Sequence, residues 1–237
     1  MKNQLAIVLD FGGPYSHLIA RKVRELGVYC EVMPAVKTIE YLLGKKPLGI
    51  ILTGGTSSIH TEGSPLFSAD LFKLGIPILG IDYGAQLMAH LNGGAISTAD
   101  ENKQGKSTLH VSNTSSPLLD GVDTPSTCWM CHTNEISKTP DGFVTTAFTD
   151  SCSCAAMEDS AKKLFAVQFH PESPHTDCGS KVISNFLYNI CAFTGDWNMA
   201  DYVNDTIAEL KKKIGDKKVI CGLSGGVDST VAAVMVH

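Results

Sequence analysis

The stretch Pro77-Ile78-Leu79-Gly80-Ile81-Asp82-Tyr83-Gly84-Ala85-Gln86-Leu87-Met88 decides the fold of this chain. The apolar run from Ile76 to Ile81 predicts a buried strand, and Tyr83 to Leu91 predicts a helix that starts at once. The single polar residue between them is Asp82, with a glycine two places to either side. This spacing is typical of a nucleophile elbow, a sharp strand-to-helix turn that lifts one side chain above the sheet. We therefore predict that Asp82 lies at the tip of such a turn with a positive φ, which Asp tolerates better than most residues.

The chain before this stretch alternates short apolar runs with amphipathic segments. Three runs predict strands: Leu5 to Leu9, Val28 to Met33 and Leu48 to Leu52. Two segments predict helices, one from Ser16 with the apolar positions Leu18, Ile19, Val23 and Leu26, and a short one from Ile39 to Leu43. This alternation predicts an α/β fold with a mostly parallel, doubly wound sheet and helices on both faces. The site is then expected at the carboxyl ends of the strands, where the Gly54-Gly55 turn and Asp82 both fall.

Residues from about Ala95 to Val167 have a different pattern. Helical periodicity weakens, Ser and Thr become frequent, and alternating runs such as Phe143 to Phe148 predict an antiparallel, β-rich insertion. A last strand, Leu164 to Phe169, then delivers His170 and Glu172 at its end. The stripe that follows predicts a helix covering the core, with Val182, Ile183, Phe186, Leu187, Ile190 and Cys191 on its buried face.

The last forty or so residues predict a separate segment. Tyr202 to Ile214 has the pattern of a charged amphipathic helix, and Lys217 to Leu223 that of a strand. A glycine-containing turn follows and leads into a further apolar helix; it consists of Ser224, Gly225, Gly226, Val227, Asp228 and Ser229. Small residues and successive amides at a helix N-terminus suit a pyrophosphate group.

Composition narrows the class of partner. Hydrophobic residues make up 43% of the chain, an ordinary share for a globular protein, and the formal net charge is −5. A negative net charge argues against nucleic acid or an anionic membrane as the main partner. The sequence has no run of eighteen apolar residues, and the short N-terminal run is interrupted by Asp10, so we expect neither a transmembrane helix nor a signal peptide. Cytoplasmic residence is the corresponding expectation.

Eight cysteines raise the question of a metal site. Cys128 and Cys131 with the adjacent His132, and the pair Cys152 and Cys154, could supply zinc ligands. The spacing is not that of a closed zinc finger, however. We therefore favour reduced, mostly buried thiols and expect no metal.

Several of these motifs together resemble a known family. The elbow from Gly80 to Gln86, with Gln168-Phe169-His170-Pro171-Glu172 downstream, resembles the class I glutamine amidotransferases. Within that class the resemblance is greatest to the GMP synthase family, because the segments Leu9 to Gly12, Ile19 to Glu31 and Leu223 to Ser229 also fit its pattern. The resemblance covers essentially the whole chain. It implies an amidotransferase-like domain over residues 1–193, a linker and helix over 194–216, and the start of an ATP pyrophosphatase domain over 217–237.

The resemblance also implies roles for individual residues. The family hydrolyses glutamine with a cysteine thiolate, a histidine and a carboxylate, and these positions correspond to Asp82, His170 and Glu172. Gly54 and Gly55, with Tyr83 and Gln86, would form the oxyanion hole and the substrate pocket. In the complete family enzyme the released ammonia converts XMP to GMP, with ATP and magnesium bound at a pyrophosphate loop that matches Ser224 to Ser229.

Asp82 stands where the family has its cysteine, so the resemblance implies a site without its nucleophile. Other departures lie in the same region: Gly13-Pro14, Thr56, Gln104 to Lys106, and Cys131 to Asn134. Two interpretations remain open. One is an amidotransferase that acts with an intact ATP domain from elsewhere, as a separate chain or in a homo-oligomer. The other is a catalytically inactive binding or regulatory module, in which even glutamine binding is in doubt. On either interpretation we expect glutaminase activity to be absent or severely impaired, and no cofactor bound to this chain.

Overall fold

The computed structural model describes residues 4–36, 38–55, 58, 59, 61, 64 and 67–236, with the backbone alone for residues 99–104. It divides between Gly195 and Asp196 into two compact units. Thr56, one of the positions singled out from the sequence, lies outside the described residues. Whether the two units fold as separate domains stays a prediction.

The first unit is built on one mixed sheet of nine strands within the described residues. The strands are β1 (Leu5–Phe11), β2 (Tyr29–Pro34), β3 (Gly49–Gly55), β4 (Ile78–Ile81), β5 (Ala95–Val111), β6 (Ser126–Lys138), β7 (Val144–Thr149), β8 (Cys152–Asp159) and β9 (Leu164–Val167). Their order is β2-β1-β3-β4-β9-β8-β7-β5-β6. The strands from β2 to β9 in this order pair in parallel, whereas β8, β7, β5 and β6 pair antiparallel.

The helices of this unit lie on both faces of the sheet. They are α1 (Ser16–Glu25), α2 (Ile39–Lys45), α3 (Tyr83–Leu91) and α4 (Gly179–Ser184), which continues as a π-helical turn over Asn185–Ile190; a 3-10 helix covers Ala69–Lys73. Alternate residues of each parallel strand enter two cores. Val8, Ile51 and Leu79 pack with α1 and α4 on one side, and Ile7, Ile50 and Ile78 pack with α2 and α3 on the other. This is the α/β arrangement that the alternating sequence pattern predicts, and it is confirmed.

Two predictions about particular segments are wrong. The sequence pattern places Leu18 on the buried face of the first helix, but Leu18 is 41% exposed, and α1 instead buries Ser16, Ile19, Ala20 and Val23. The pattern also predicts a strand over Lys217 to Leu223, but this segment has no regular secondary structure. A strand is stable only with a hydrogen-bonded neighbour, and the described part of the second unit contains helices but no strand to pair with it.

The second unit contains α5 (Met199–Ile214) and α6 (Val227–Val236). Asn198 caps α5, since its side chain accepts a hydrogen bond from the amide of Asp201, and three lysines fill the last turn, where a positive charge favours the helix dipole. Across the part of the chain that the structure describes, every helix is too short or too polar to span a bilayer.

Candidate active site at the elbow

The tip of the elbow is Asp82, which lies between the end of β4 and the start of α3. Its φ is 50° and its ψ is −108°, the positive φ that the sequence predicts. Its amide donates to the carbonyl of Val167 on β9, and its carbonyl accepts from the amides of Ala85 and Gln86. The turn is therefore tied both to the neighbouring strand and to the first turn of the helix.

The two flanking glycines allow the sharp turn. A Cβ on Gly80 would lie 2.6 Å from the carbonyl oxygen of Gly84, and a Cβ on Gly84 would lie 2.5 Å from the carbonyl oxygen of Leu52. Neither distance is possible for a real side chain without a shift of the backbone. The expectation that backbone crowding requires glycine at both positions is confirmed.

His170 and Glu172 follow the last parallel strand and form a buried pair. The backbone of His170 is held on both sides, because its amide donates to the carbonyl of Trp129 and its carbonyl accepts from Oγ1 of Thr176. Its Nδ1 atom lies 2.8 Å from Oε1 of Glu172, and both side chains are buried. The carboxylate of Glu172 thus fixes the orientation of the imidazole.

The other ring nitrogen of His170 is directed toward the elbow. Its Nε2 lies 4.0 Å from Oδ2 of Asp82 and has no hydrogen-bond partner among the described residues. The imidazole therefore lies between two carboxylates, one in hydrogen-bond contact and one beyond it. A histidine oriented by an acid on one side, with its second nitrogen toward the elbow residue on the other, is the arrangement that activates a nucleophile in a catalytic triad.

Burial and the neighbouring charges set the protonation of this group. Burial raises the pKa of Asp82 to about 6, although the nearby His170 and a hydrogen bond from the backbone amide of Tyr83 oppose the rise. For His170, burial lowers the pKa, but the hydrogen bond and charge of Glu172 together with the charge of Asp82 outweigh it, so that its pKa lies above the usual value. Near neutral pH this site holds an imidazolium between carboxylates.

Gly54 and Gln86 complete the walls around Asp82. A Cβ on Gly54 would lie 3.1 Å from Oδ2 of Asp82 and 3.7 Å from the ring of His170, so the end of β3 passes directly beside the pair. The amide nitrogen of Gln86 donates to the carbonyl of Asn134 on β6 at 3.0 Å and lies 3.5 Å from Oδ1 of Asp82. Of the residues assigned to the site from the sequence, the structure thus gathers Asp82, His170, Glu172, Gly54 and Gln86 at one sheet edge.

Two further residues assigned to the site contribute differently. Gly55 lies against the ring of Tyr83, where an added Cβ would meet the ring at 2.9 Å. The Tyr83 ring is buried and packs 5.5 Å from the ring of Phe11, so its side chain belongs to the core and only its backbone amide reaches Asp82.

Aromatic residues beside His170 belong to the site, although the sequence motifs do not reveal them. Tyr15 meets the imidazole edge-on at 5.2 Å, and Trp129 lies 5.0 Å from the ring of His175. These side chains line a cleft of about 250 Å³ that also contains His170 and Glu172. Tyr15 follows the altered first loop, and this neighbourhood is its only sequence signal. Trp129 has none, because its place depends on the path of β6.

The glycine-containing turn from Ser224 to Ser229 lies in the second unit. The hydroxyls of Ser224 and Ser229 are 2.9 Å apart, the amide of Gly226 donates to the Ser224 hydroxyl, and α6 begins at Val227. The turn and its helix N-terminus are formed and exposed.

The groups considered as zinc ligands are gathered only in part. The side chains of His132 and Cys152 come together with that of Glu135, all ligand atoms lying within 4.8 Å of one another. The eight cysteines, all within the described residues, are thiols and not disulfides, and burial raises the pKa of Cys128 and Cys154 to about 12.

Comparison with protein-family models gives two matches that cover most of the chain. The model described as glutamine amidotransferase class-I matches residues 7–190, which include the elbow, His170 and Glu172. The chain belongs to the class I glutamine amidotransferases. The model described as NAD synthase matches residues 199–237, which include the turn from Ser224 to Ser229.

Relatives of this amidotransferase include complete GMP synthases. It is 52% identical over 233 residues to the glutamine-hydrolysing GMP synthase of Clostridium perfringens, and 51% identical over 237 residues to that of Acetivibrio thermocellus. The matches cover 98% and 100% of this chain but 46% of each relative. The chain thus spans about half the length of the curated relatives it matches.

Solved structures agree with the fold. A Thermoplasma acidophilum protein, assigned as one component of a GMP synthase, is 31% identical, with a TM-score of 0.72, over 80% of this amidotransferase and 94% of that chain. PurLQS from Thermotoga maritima is 17% identical with a TM-score of 0.62, over 79% and 99% of the two chains, and at this identity it supports the fold alone.

Proposed function

We propose that this chain is the amidotransferase part of a GMP synthase whose glutaminase site lacks its nucleophile. The observation that carries the proposal is the elbow itself. The triad geometry is present at Asp82, His170 and Glu172, but the residue at the tip is a carboxylate. The similarity of the whole chain to GMP synthases supports the synthetic context, in which glutamine would supply ammonia for the conversion of XMP to GMP.

A carboxylate at the tip disfavours amide hydrolysis for two reasons. Attack by a carboxylate on glutamine would form an anhydride and expel ammonia, a much less favourable step than forming a thioester. The negative charge of Asp82 would also lie beside the position where an oxyanion develops. Because the amide of Tyr83 already donates to Asp82, a donor suited to that oxyanion is taken up in the resting site.

The substitution Asp82→Cys tests this proposal. Because His170 is already oriented by Glu172, a thiol at position 82 should be deprotonated by Nε2 of His170 and should hydrolyse glutamine. We expect ammonia release to rise by on the order of 10³-fold or more over the unmodified chain, since loss of a nucleophile alone can cost a hydrolase up to about 10⁶-fold. The assay is glutamine-dependent ammonia release by purified protein.

The matched control carries Asp82→Cys together with His170→Ala, and it should return to background. Ammonia release by the unmodified chain at a rate comparable to that of the Asp82→Cys variant would contradict the proposal. If Asp82→Cys folds but stays inactive, the glutamine pocket itself has been lost, and the binding or regulatory module is then the correct function. Thermal shift with glutamine and with glutamate would separate binding from hydrolysis in both proteins.

We further propose that the second unit is the start of an ATP pyrophosphatase domain. The match of residues 199–237 to the NAD synthase model and the exposed turn at the N-terminus of α6 support this assignment. The amides around Gly225 and Gly226 fit a pyrophosphate group, as expected for a helix N-terminus preceded by small residues. In a complete enzyme ATP and magnesium would supply nucleotide activation at this turn, with the remaining residues of that domain provided by further sequence or by a second chain.

A further inference from the structure

A cluster of three potential metal ligands lies in the β-rich part of the first unit. It consists of His132 and Glu135 on β6 and Cys152 at the start of β8, and one ligand atom of each lies within 4.8 Å of the other two. His132 is 4% exposed and Cys152 is 1% exposed, while Glu135 is half-buried. None of the three belongs to the triad at Asp82, His170 and Glu172.

The cluster depends on the curvature of the sheet. In strand order β8 and β6 are separated by β7 and β5, yet β6 returns to pair with the chain beyond β9, where Met130 bridges to Phe169. The β5–β6 ladder also shifts register between Thr98 and Lys103, next to His132. Irregularities of this kind redirect side chains within a strand. The long-range pairing and this shift bring ligands from two separate strands to one point.

Gln168 holds the sulfur of the cluster from the side. Its Nε2 donates to Sγ of Cys152 at 3.3 Å and to the carbonyl of Cys154 at 2.6 Å, and its Oε1 accepts from the amide of Ile136 on β6. Gln168 thus links β6 to β8 and fixes the thiol by a direct hydrogen bond. Such an outer partner is the usual support of a metal ligand, because it orients the ligand and stabilises its charged form.

We propose that His132, Glu135 and Cys152 bind a divalent transition-metal ion of the zinc class. One thiolate, one imidazole and one carboxylate form a borderline-soft donor set that suits Zn²⁺ and Co²⁺ and not Mg²⁺ or Ca²⁺. Three protein ligands leave a fourth position for water, and the half-buried Glu135 provides the route from solvent. The proposal departs from the expectation of a metal-free chain, and it selects only two of the five groups that the cysteine spacing suggests.

Cobalt(II) and zinc(II) salts are the probes. A chain carrying Cys131→Ser and Cys221→Ser serves as the background, because these substitutions remove the half-buried and exposed thiols that could bind metal nonspecifically. We expect one cobalt ion per chain, with the sulfur-to-cobalt charge-transfer absorption of a bound thiolate and the intense visible bands of a tetrahedral site. Zinc should displace the cobalt, and it should raise the melting temperature because it binds the folded state.

Ligand variants decide the assignment. Cys152→Ser should abolish the charge-transfer band, and Glu135→Gln should weaken zinc binding by about tenfold or more, as measured by competition with a chromophoric chelator. Cys154→Ser, a buried thiol two residues away, is the matched control and should keep the band. A band that persists in Cys152→Ser overturns the proposal, as does a background chain that binds no cobalt. If Cys152→Ser does not fold, unchanged zinc affinity in Glu135→Gln overturns it equally.

Discussion

The Nε2 atom of His170 lies 4.0 Å from Oδ2 of Asp82, beyond a hydrogen bond but well within the range of a strong charge interaction in a buried site. At that separation the two groups influence each other's ionisation without sharing a proton. In a triad the same nitrogen would take the proton of the nucleophile. Here it faces an acid with no thiol proton to transfer, so the pair is expected to act as a buried ion pair.

The first prediction concerns the titration of His170. The charge of Asp82 contributes to the raised pKa of this histidine, so Asp82→Asn should lower the midpoint of its NMR titration. Asp70→Asn, which removes an exposed carboxylate on the 3-10 helix, is the control and should leave the midpoint unchanged. Equal midpoints in the Asp82→Asn protein and the unmodified protein would show that the two side chains do not interact as the structure indicates.

The second prediction concerns stability and pH. Asp82 has a pKa of about 6 in the folded chain against an ordinary value of 3.8, because burial disfavours its charge. Its folded pKa is thus raised, so its contribution to stability is fully present below about pH 4 and is lost as pH rises through about 6. With about 1.4 kcal/mol per pKa unit, the loss amounts to at most about 3 kcal/mol.

Urea denaturation of the unmodified chain and of Asp82→Asn at several pH values measures this effect. The asparagine variant should gain on the unmodified chain by up to about 3 kcal/mol between pH 4 and pH 7, since asparagine cannot ionise. A difference in unfolding free energy that stays constant over this range would rule out a raised pKa at Asp82.

The third prediction concerns the elbow glycines. Gly84→Ala should destabilise the chain by several kcal/mol, since the new Cβ would lie 2.5 Å from the Leu52 carbonyl oxygen and force the turn apart. Gly44→Ala is the matched control, because Gly44 lies in α2 with no atom within 4 Å of the added carbon. It should stabilise the chain by about 0.5–1 kcal/mol, the usual gain for alanine over glycine in a helix. Equal melting temperatures for the two variants would contradict the crowding at the elbow.

The parts of the fold that follow from local sequence are predictable, and the parts that depend on distant pairing are not. The strand that ends at Ile81, the helix from Tyr83 and the positive φ of Asp82 follow from a few adjacent residues, because apolar runs and glycine spacing act locally. The positions of Trp129 and Glu135 depend on the path of β6 around the sheet, which joins residues about forty apart in sequence. Leu18 departs from its predicted face because helical periodicity locates a buried stripe only to within one residue.

The last prediction concerns Lys217 to Leu223, the segment that has an apolar strand pattern but no strand structure. Ile220 is 99% exposed and Leu223 is 62% exposed, so this backbone lacks the burial that slows exchange. We expect its amides to exchange with solvent orders of magnitude faster than those of β4, where Ile78 to Ile81 are buried and paired on both sides. Hydrogen–deuterium exchange followed by mass spectrometry resolves the two peptides within one experiment, with β4 as the internal control. Equal protection of the two segments in the chain alone would show that Val219 to Leu223 pairs with a strand that the structure does not contain. Protection that appears only when the remaining ATP pyrophosphatase residues are supplied would instead show that the apolar pattern encodes a strand whose partner lies in those residues.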